Sequence, residues 1–514
     1  MDSKLFTPAK IGPLTLRNRT IRAAAFEGMC PGNAPSGMLF DYHRSVAAGG
    51  IGMTTLAYAA VVRSGLSFPH QLWLRPEIIP DLRRITEAIH KEGAAASIQI
   101  GHCGNMSHRS QTGCRPISAS GGINIYSPTL VRGMRKEEVY DMAKSFGRAV
   151  RLVKEAGFDA VEVHAGHGYL ISQFLSPYTN HRKDEFGGTL ENRMRFMKLV
   201  MGEVMEAAGG DLAVLVKMNM RDGFKGGMEL DETLEVGRTL EKEGAHALIL
   251  SGGFVSKAPM YVMRGRMPLY TMTHYMKCWW LKWGVRAVGR FMIPDAPFEE
   301  AYFLPDAVKF RENLKLPLVY VGGLVSREKI EEVLNNGFEF VSMARALLNE
   351  PDFVNRMQRE ENARCSCEHT NYCIAAHGVA MQIAAMNPIA IDEAGVPESV
   401  KEAEIQKTGD VFSGDSMLID DKSGIVYRKE QFFSKNSLPC EYIIRDRRYT
   451  IKGIDNLLQK AGFRVIDSYC FSAKNMSQEV DEISGKEIFV VAQKQNSLSL
   501  LSRNTFLMPQ TWKK

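Results

Sequence analysis

Eight short apolar runs, at 20–25, 51–57, 95–100, 160–164, 212–218, 247–251, 318–322 and 338–343, recur along the first 350 residues. Each is rich in β-branched or small apolar residues and suits a strand buried on both faces. Between them lie segments with helical periodicity, at 81–92, 137–156, 190–208, 231–243 and 327–335. Thr189 and Ser326 stand directly before two of these, where a hydroxyl can cap the first free backbone N–H groups. Strand–helix alternation repeated eight times predicts an α/β chain whose parallel sheet closes into a TIM (β/α)8 barrel. An open doubly wound sheet would carry a glycine-rich turn after its first strand, and 20–27 contains none.

Composition sets the outer bounds. The 514 residues are 45% hydrophobic and 24% charged, with a formal charge of +6, which is ordinary for a globular protein with a substantial core. The basic clusters at 132–136 and 445–448 are short and mixed with other residues, so nucleic acid is not an expected partner. No N-terminal apolar segment resembles a leader and no run reaches the length of a membrane span. Nine irregularly spaced cysteines do not form a disulfide framework, and a reducing cytoplasmic location is expected. A homo-oligomer is compatible with all of this.

The densest chemistry follows the fourth run. There Val163-His164-Ala165-Gly166-His167-Gly168-Tyr169 delivers two imidazoles and a phenol within six residues of a strand end. Two imidazoles at that spacing can converge on one oxygen, while the phenol can protonate an adjacent atom. A zinc site would need further ligands at defined spacing, and none is evident. The flanking glycines suit a tight loop approached closely by a ligand. The long aromatic and Met-rich stretch 252–316 follows the sixth run and would extend the same face as a pocket wall or lid. It suggests a bulky apolar substrate.

The string from His164 to Arg193, with Asn180-His181-Arg182-Lys183-Asp184-Glu185-Phe186-Gly187-Gly188, resembles the old yellow enzyme family, in the branch of 2,4-dienoyl-CoA reductase and trimethylamine dehydrogenase. Further blocks stand in the same order: Leu5-Phe6-Thr7-Pro8, Leu16-Arg17-Asn18-Arg19, Gln99 in the third run, Lys217 in the fifth, Gly322-Gly323 after the seventh and Ala344-Arg345 after the eighth. The likeness covers residues 1 to about 385. It implies FMN, with NADH or NADPH as reductant. By that resemblance Ala23, Ala24 and Ala25 line the flavin edge and Gln99 meets its pyrimidine ring. Lys217 faces N1 and O2, and Gly322, Gly323, Ala344 and Arg345 hold the phosphate. His164 and His167 would then hold the oxygen of an enone or enoate, and Tyr169 would donate a proton as its C=C bond is reduced. Alternatives are an oxidative amine dehydrogenase on the same barrel, or a non-catalytic barrel with an interaction tail.

The chain departs from its larger relatives after the barrel. Ala25 stands where threonine is frequent. The run Cys365-Ser366-Cys367-Glu368-His369-Thr370-Asn371-Tyr372-Cys373 has the wrong spacing for a [4Fe–4S] cluster and lacks a fourth thiolate, so it reads as a degenerate remnant rather than a metal site. The domains expected are a barrel at 1–385, a linker at 386–407, a small α+β module at 408–495 and a polar tail at 496–514. Within the module, strands are expected at 424–427, 441–444, 463–468 and 488–492 and a helix at 451–461. Its end resembles the last helix and strands of a class I methyltransferase, without the glycine-rich turn that would bind S-adenosylmethionine.

Overall fold

The computed structural model describes residues 3–124, 129–265 and 295–367, single positions between 273 and 289 and between 369 and 373, and the backbone of strands between 417 and 506. The expected linker, the helix at 451–461 and part of the Met-rich stretch, including Met267, Tyr270, Met272, Tyr275 and Trp280, lie outside the described residues. The chain divides into two units, Met1–Pro388 and Ile389–Lys514.

The first unit is the closed barrel that the eight runs require. Its strands are β1 (Thr20–Arg22), β2 (Met53–Ala60), β3 (Ala95–Gly101), β4 (Ala160–His164), β5 (Ala213–Asn219), β6 (Ala247–Ser251), β7 (Leu318–Val321) and β8 (Phe340–Met343). Each pairs in parallel with the next, and β8 closes on β1 with Ser342 opposite Ile21. The outer helices are α1 (Gly37–Ala48), α2 (Ile79–Lys91), α3 (Lys136–Glu155), α4 (Leu190–Ala208), α5 (Leu230–Lys242), α6 (Leu304–Asn313) and α7 (Arg327–Asn335). The sequence reading did not pick out α1 or α6. The interior is filled by Leu16, Ile21, Met53, Leu215, Ile249, Val319 and Phe340, all essentially sealed from solvent, so this barrel is a packed core with its opening at one end.

Helix positions follow from caps and stripes. In α2, Ile79, Leu82, Ile85 and Ile89 recur on one buried face, each contributing about 1.5–3 kcal/mol by leaving water. Thr189 caps α4 by accepting from the Asn192 N–H, and Ser326 caps α7 by accepting from Lys329. A small three-stranded sheet (Ile117–Ser118, Gly122–Asn124, Thr129–Gly133) follows β3.

In the second unit, Met417–Asp420, Ile425–Phe432 and Cys440–Arg447 form one antiparallel sheet. Phe463–Ser472 and Glu487–Lys494 pair antiparallel at the centre of another, with Asn475–Ser477, Ser497–Ser499 and Thr505–Phe506 at its margins. The last two fall within 496–514.

A short helix, Leu170–Leu175, follows the histidine loop, and its Phe174 packs on Phe196 of α4 at a ring separation of 4.5 Å. Phe196 is fully buried and ties the loop's far end to the outer wall. Phe196→Ala should cost about 3–5 kcal/mol, read as a lowered denaturant midpoint of the barrel transition. An unchanged midpoint would show that this contact does not anchor the helix.

Candidate active site

The strand ends open into one cavity of about 1190 Å³, room enough for a cofactor and a substrate together. All twelve residues singled out in the sequence line it: Ala23, Ala24, Ala25, Gln99, His164, His167, Tyr169, Lys217, Gly322, Gly323, Ala344 and Arg345. They come from the ends of β1, β3, β4, β5, β7 and β8 and the turns beyond.

Strand register brings three of them together. Gln99 of β3 lies opposite Glu162 of β4, and Lys217 of β5 lies opposite His164. Lys217 Nζ therefore reaches Glu162 Oε1 at 2.7 Å, and Gln99 Nε2 donates to the same oxygen at 2.6 Å. Lys217 also donates to the Ala24 carbonyl at 3.3 Å. Lys217 and Glu162 are almost wholly buried, which only a paired charge tolerates. Sequence reasoning missed Glu162, although a carboxylate inside the apolar run Val161-Glu162-Val163 was the signal for it.

A second buried network braces the first strand. Arg22 meets Glu27 at 2.6 Å and donates to the Thr55 carbonyl at 2.7 Å. Glu27 in turn bonds His43 at 3.0 Å and accepts from the Ala57 N–H at 3.1 Å. This network fixes the backbone of Ala23–Ala25 against the end of β2.

The histidine loop is held in an unusual conformation. His167 has a left-handed φ of +58°, sparsely populated by residues other than glycine. Its N–H donates to Asn219 Oδ1 at 2.9 Å, and its Nε2 lies 2.7 Å from Ser251 Oγ at the end of β6. A Cβ at Gly168 would strike Phe254 at 2.5 Å. The loop thus packs three rings edge to face, with His164 5.1 Å from His167 and 4.5 Å from Tyr169. Tyr169 places its hydroxyl 3.2 Å from that of Tyr58, at the end of β2. Asn219, Ser251 and Tyr58 were not foreseen; nothing in their local sequence distinguishes them from strand residues.

Both imidazoles are held neutral. Burial, with the neighbouring His167 and Lys217, puts His164 well below the usual histidine range. Burial and Lys217 bring His167 down to about 3. Lining residues include Arg22, Lys217, Lys257 and Arg345, and none of the described lining residues is aspartate or glutamate.

The opposite side of the cavity is built for close approach. A Cβ at Gly322 would meet Phe303 at 3.0 Å, and one at Gly323 would meet Tyr302 at 2.8 Å. The Arg345 guanidinium bonds Asn371 at 2.6 Å. The Ser342 hydroxyl lines the same wall, buried and with no partner among the described residues. These features fit an anionic, hydrogen-bonding cofactor such as FMN. Cys365 is packed as a neutral thiol on the Ala346 carbonyl, its pKa pushed up to about 12 by burial. Among the described residues no three His, Cys, Asp or Glu side chains converge as metal ligands.

Residues 4–261 match the model of the NADH:flavin oxidoreductase / NADH oxidase family. The chain belongs to this family, the old yellow enzymes. It is 40% identical over 371 residues to the 4,4'-dithiodibutanoate disulfide reductase of Rhodococcus erythropolis, spanning 72% of this chain and 92% of that one. It is 28% identical to an NADPH dehydrogenase of Halalkalibacterium halodurans, over 68% of this chain and 93% of the relative. The old yellow enzyme homologue from Zymomonas mobilis shares the fold, with a TM-score of 0.58 at 23% identity over 71% of this chain and 96% of its own. The family member described here is thus an NAD(P)H-dependent flavin oxidoreductase that uses FMN. No helix among the described residues is long and apolar enough to cross a membrane.

His164 and His102 are buried and His167 is half-buried, and His102 is likewise lowered to about 3 by burial. A histidine whose folded pKa lies below its unfolded value of about 6.5 adds stability above pH 6.5. That stability is lost as pH falls from 6.5 towards 3. Each such group should remove about 1.4 kcal/mol per pH unit in that window. His167→Asn should make the acid limb of a stability–pH profile shallower by about one proton; an unaltered slope would mean that His167 already ionises in the folded protein.

Proposed function

We propose that this enzyme reduces the C=C bond of an α,β-unsaturated carbonyl compound with NAD(P)H. The observation that carries the reading is the neutral His164–His167 pair packed edge to face beside Tyr169 on the cavity wall. Held by these residues, FMN would supply the hydride-transfer chemistry, drawing on NAD(P)H, for the β-carbon of the substrate.

The chain's own residues do the rest. His164 Nδ1 accepts the Gly166 N–H, and in this reading His167 Nε2 accepts the Ser251 hydroxyl. Each imidazole then carries its proton on the other nitrogen, as a donor for the substrate oxygen. That oxygen gains negative charge as the reaction proceeds, so the two donors bind the transition state more tightly than the ground state. Tyr169 gives its proton to the α-carbon. Lys217 and Gln99, anchored on Glu162, would hold the flavin pyrimidine edge; Ala23, Ala24 and Ala25 would follow the ring. Gly322, Gly323, Ala344 and Arg345 would take the phosphate, with Ser342 added to that set.

The relative at 40% identity, named for disulfide reduction, favours a second reading. The same proton from Tyr169 would then go to a leaving thiolate sulfur. Either substrate would suit an anionic tail. Lys257 sits exposed at the mouth, 5.9 Å over the Tyr178 ring, in a cavity whose described lining has no carboxylate. Lys257→Ala should raise KM for a carboxylate-bearing substrate about 2- to 5-fold, the worth of one exposed ion pair, and leave KM for a neutral enone unchanged. Equal effects on both would remove Lys257 from substrate recognition.

Tyr169→Phe should slow re-oxidation of the reduced enzyme by an enone about 100-fold or more, with reduction by nicotinamide far less affected. Rapid mixing under anaerobic conditions separates the two half-reactions. Wild-type rates in both would exclude Tyr169 as the acid.

A further inference from the structure

Tyr58 is buried on the cavity wall, and its hydroxyl lies between two others: Tyr169 Oη at 3.2 Å and Cys103 Sγ at 3.6 Å. The rings of Tyr58 and Tyr169 are 5.2 Å apart, and Phe26 closes on Tyr58 at 5.8 Å. Cys103 is fully buried. We propose that Tyr58 is a positioning residue that makes Tyr169 an effective acid, by donating a hydrogen bond to the Tyr169 oxygen once that oxygen has lost its proton. The inference rests on Tyr169 being the proton donor.

The chemistry balances as follows. Hydride addition at the β-carbon leaves an electron pair at the α-carbon. The Tyr169 O–H bond breaks, a C–H bond forms on that pair, and the negative charge stays on the Tyr169 oxygen. Before this step Tyr169 can donate to Tyr58; afterwards a phenolate can only accept, so the sense of the 3.2 Å contact reverses. The Tyr58 O–H bond remains intact throughout, and water returns the proton to Tyr169 between turnovers.

The surroundings suit Tyr58 to that task. Burial, with Cys103 and Tyr169 beside it, pushes the Tyr58 phenol well above its usual range, and burial brings the Cys103 thiol to about 12. Both stay protonated, so Tyr58 always has a proton to offer. The other titratable groups facing the pair are His164 and His167 from the end of β4, both neutral, with Lys217 of β5 acting on both. Among the described residues, the groups that act on Tyr58 are Cys103 and Tyr169, neither of them an anion before the proton transfer. A hydrogen bond to a charged oxygen is roughly twice as strong as a neutral one, and its loss corresponds to about 10- to 100-fold.

The test is Tyr58→Phe in the flavin-loaded enzyme, which keeps the ring and removes only the hydroxyl; circular dichroism and flavin content check the fold. Tyrosinate absorbance is titrated against pH for wild type, Tyr58→Phe, Tyr169→Phe and the double variant, so that differences isolate the ionisation of Tyr169. Tyr58→Phe should weaken that acid about 10- to 100-fold, moving its ionisation to higher pH. The oxidative half-reaction should slow by a similar factor, and its high-pH limb should move up with the ionisation, which a purely structural defect would not cause. A Tyr169 ionisation that does not move overturns the inference. So does a slow Tyr58→Phe beside an unslowed Tyr169→Phe, which would make Tyr58 the acid. If both variants keep wild-type rates, the proton-donor reading of Tyr169 falls instead, and the inference with it.

Discussion

The ion pair between Lys217 and Glu162 is the contact on which the rest of the site depends. It exists because β3, β4 and β5 are parallel neighbours whose register sets Gln99 level with Glu162 and Lys217 two residues further along, level with His164. An isolated buried ammonium would be strongly disfavoured, whereas one bonded to a carboxylate and a backbone carbonyl is held in place. Removing either partner leaves the other charge buried and unpaired, typically a loss of about 3–5 kcal/mol. The pair also fixes Gln99, which shares the same carboxylate oxygen. Two of the proposed cofactor contacts therefore stand on one residue that touches the cavity only through them.

Charge is distributed to match. The described lining carries cations and no carboxylates, while the acids that balance them, Glu162 and Glu27, are buried behind Lys217 and Arg22. An anionic cofactor thus meets positive charge without like-charge repulsion. Desolvation, assisted by the same positive charge, keeps His164 and His167 neutral. Neutral imidazoles donate hydrogen bonds without giving up a proton, which leaves acid chemistry to the phenols. The separation of roles follows from burial and from where Lys217 sits.

Much of this was legible in the sequence. The eight apolar runs located every barrel strand, because strands buried on both faces read as near-continuous apolar runs, interrupted only by a few buried polar residues such as Gln99, Glu162 and Lys217. The loop His164–Tyr169 was legible because chemistry-bearing residues and glycines crowd a strand end. Helices α1 and α6 escaped because α1 (Gly37–Ala48) begins on glycine and mixes polar groups into its buried face, and α6 follows a stretch without regular period. Tyr58, Asn219 and Ser251 were invisible for a different reason. Each acts across a gap of 30 or more residues, on Tyr169, His167 or Gly253. Only barrel closure makes those pairs neighbours, and a single sequence carries no trace of them.

The most direct test of the proposed activity is the fate of hydrogen during turnover. Anaerobic reaction of an enone with NAD(P)H in deuterium oxide, with the product examined by NMR, should place solvent deuterium on the α-carbon. Nicotinamide deuterated at its transferred position should label the β-carbon. Absence of both labels, with the enone unconsumed while an organic disulfide is turned over to thiols, would contradict C=C reduction and assign the same histidines and tyrosine to sulfur chemistry.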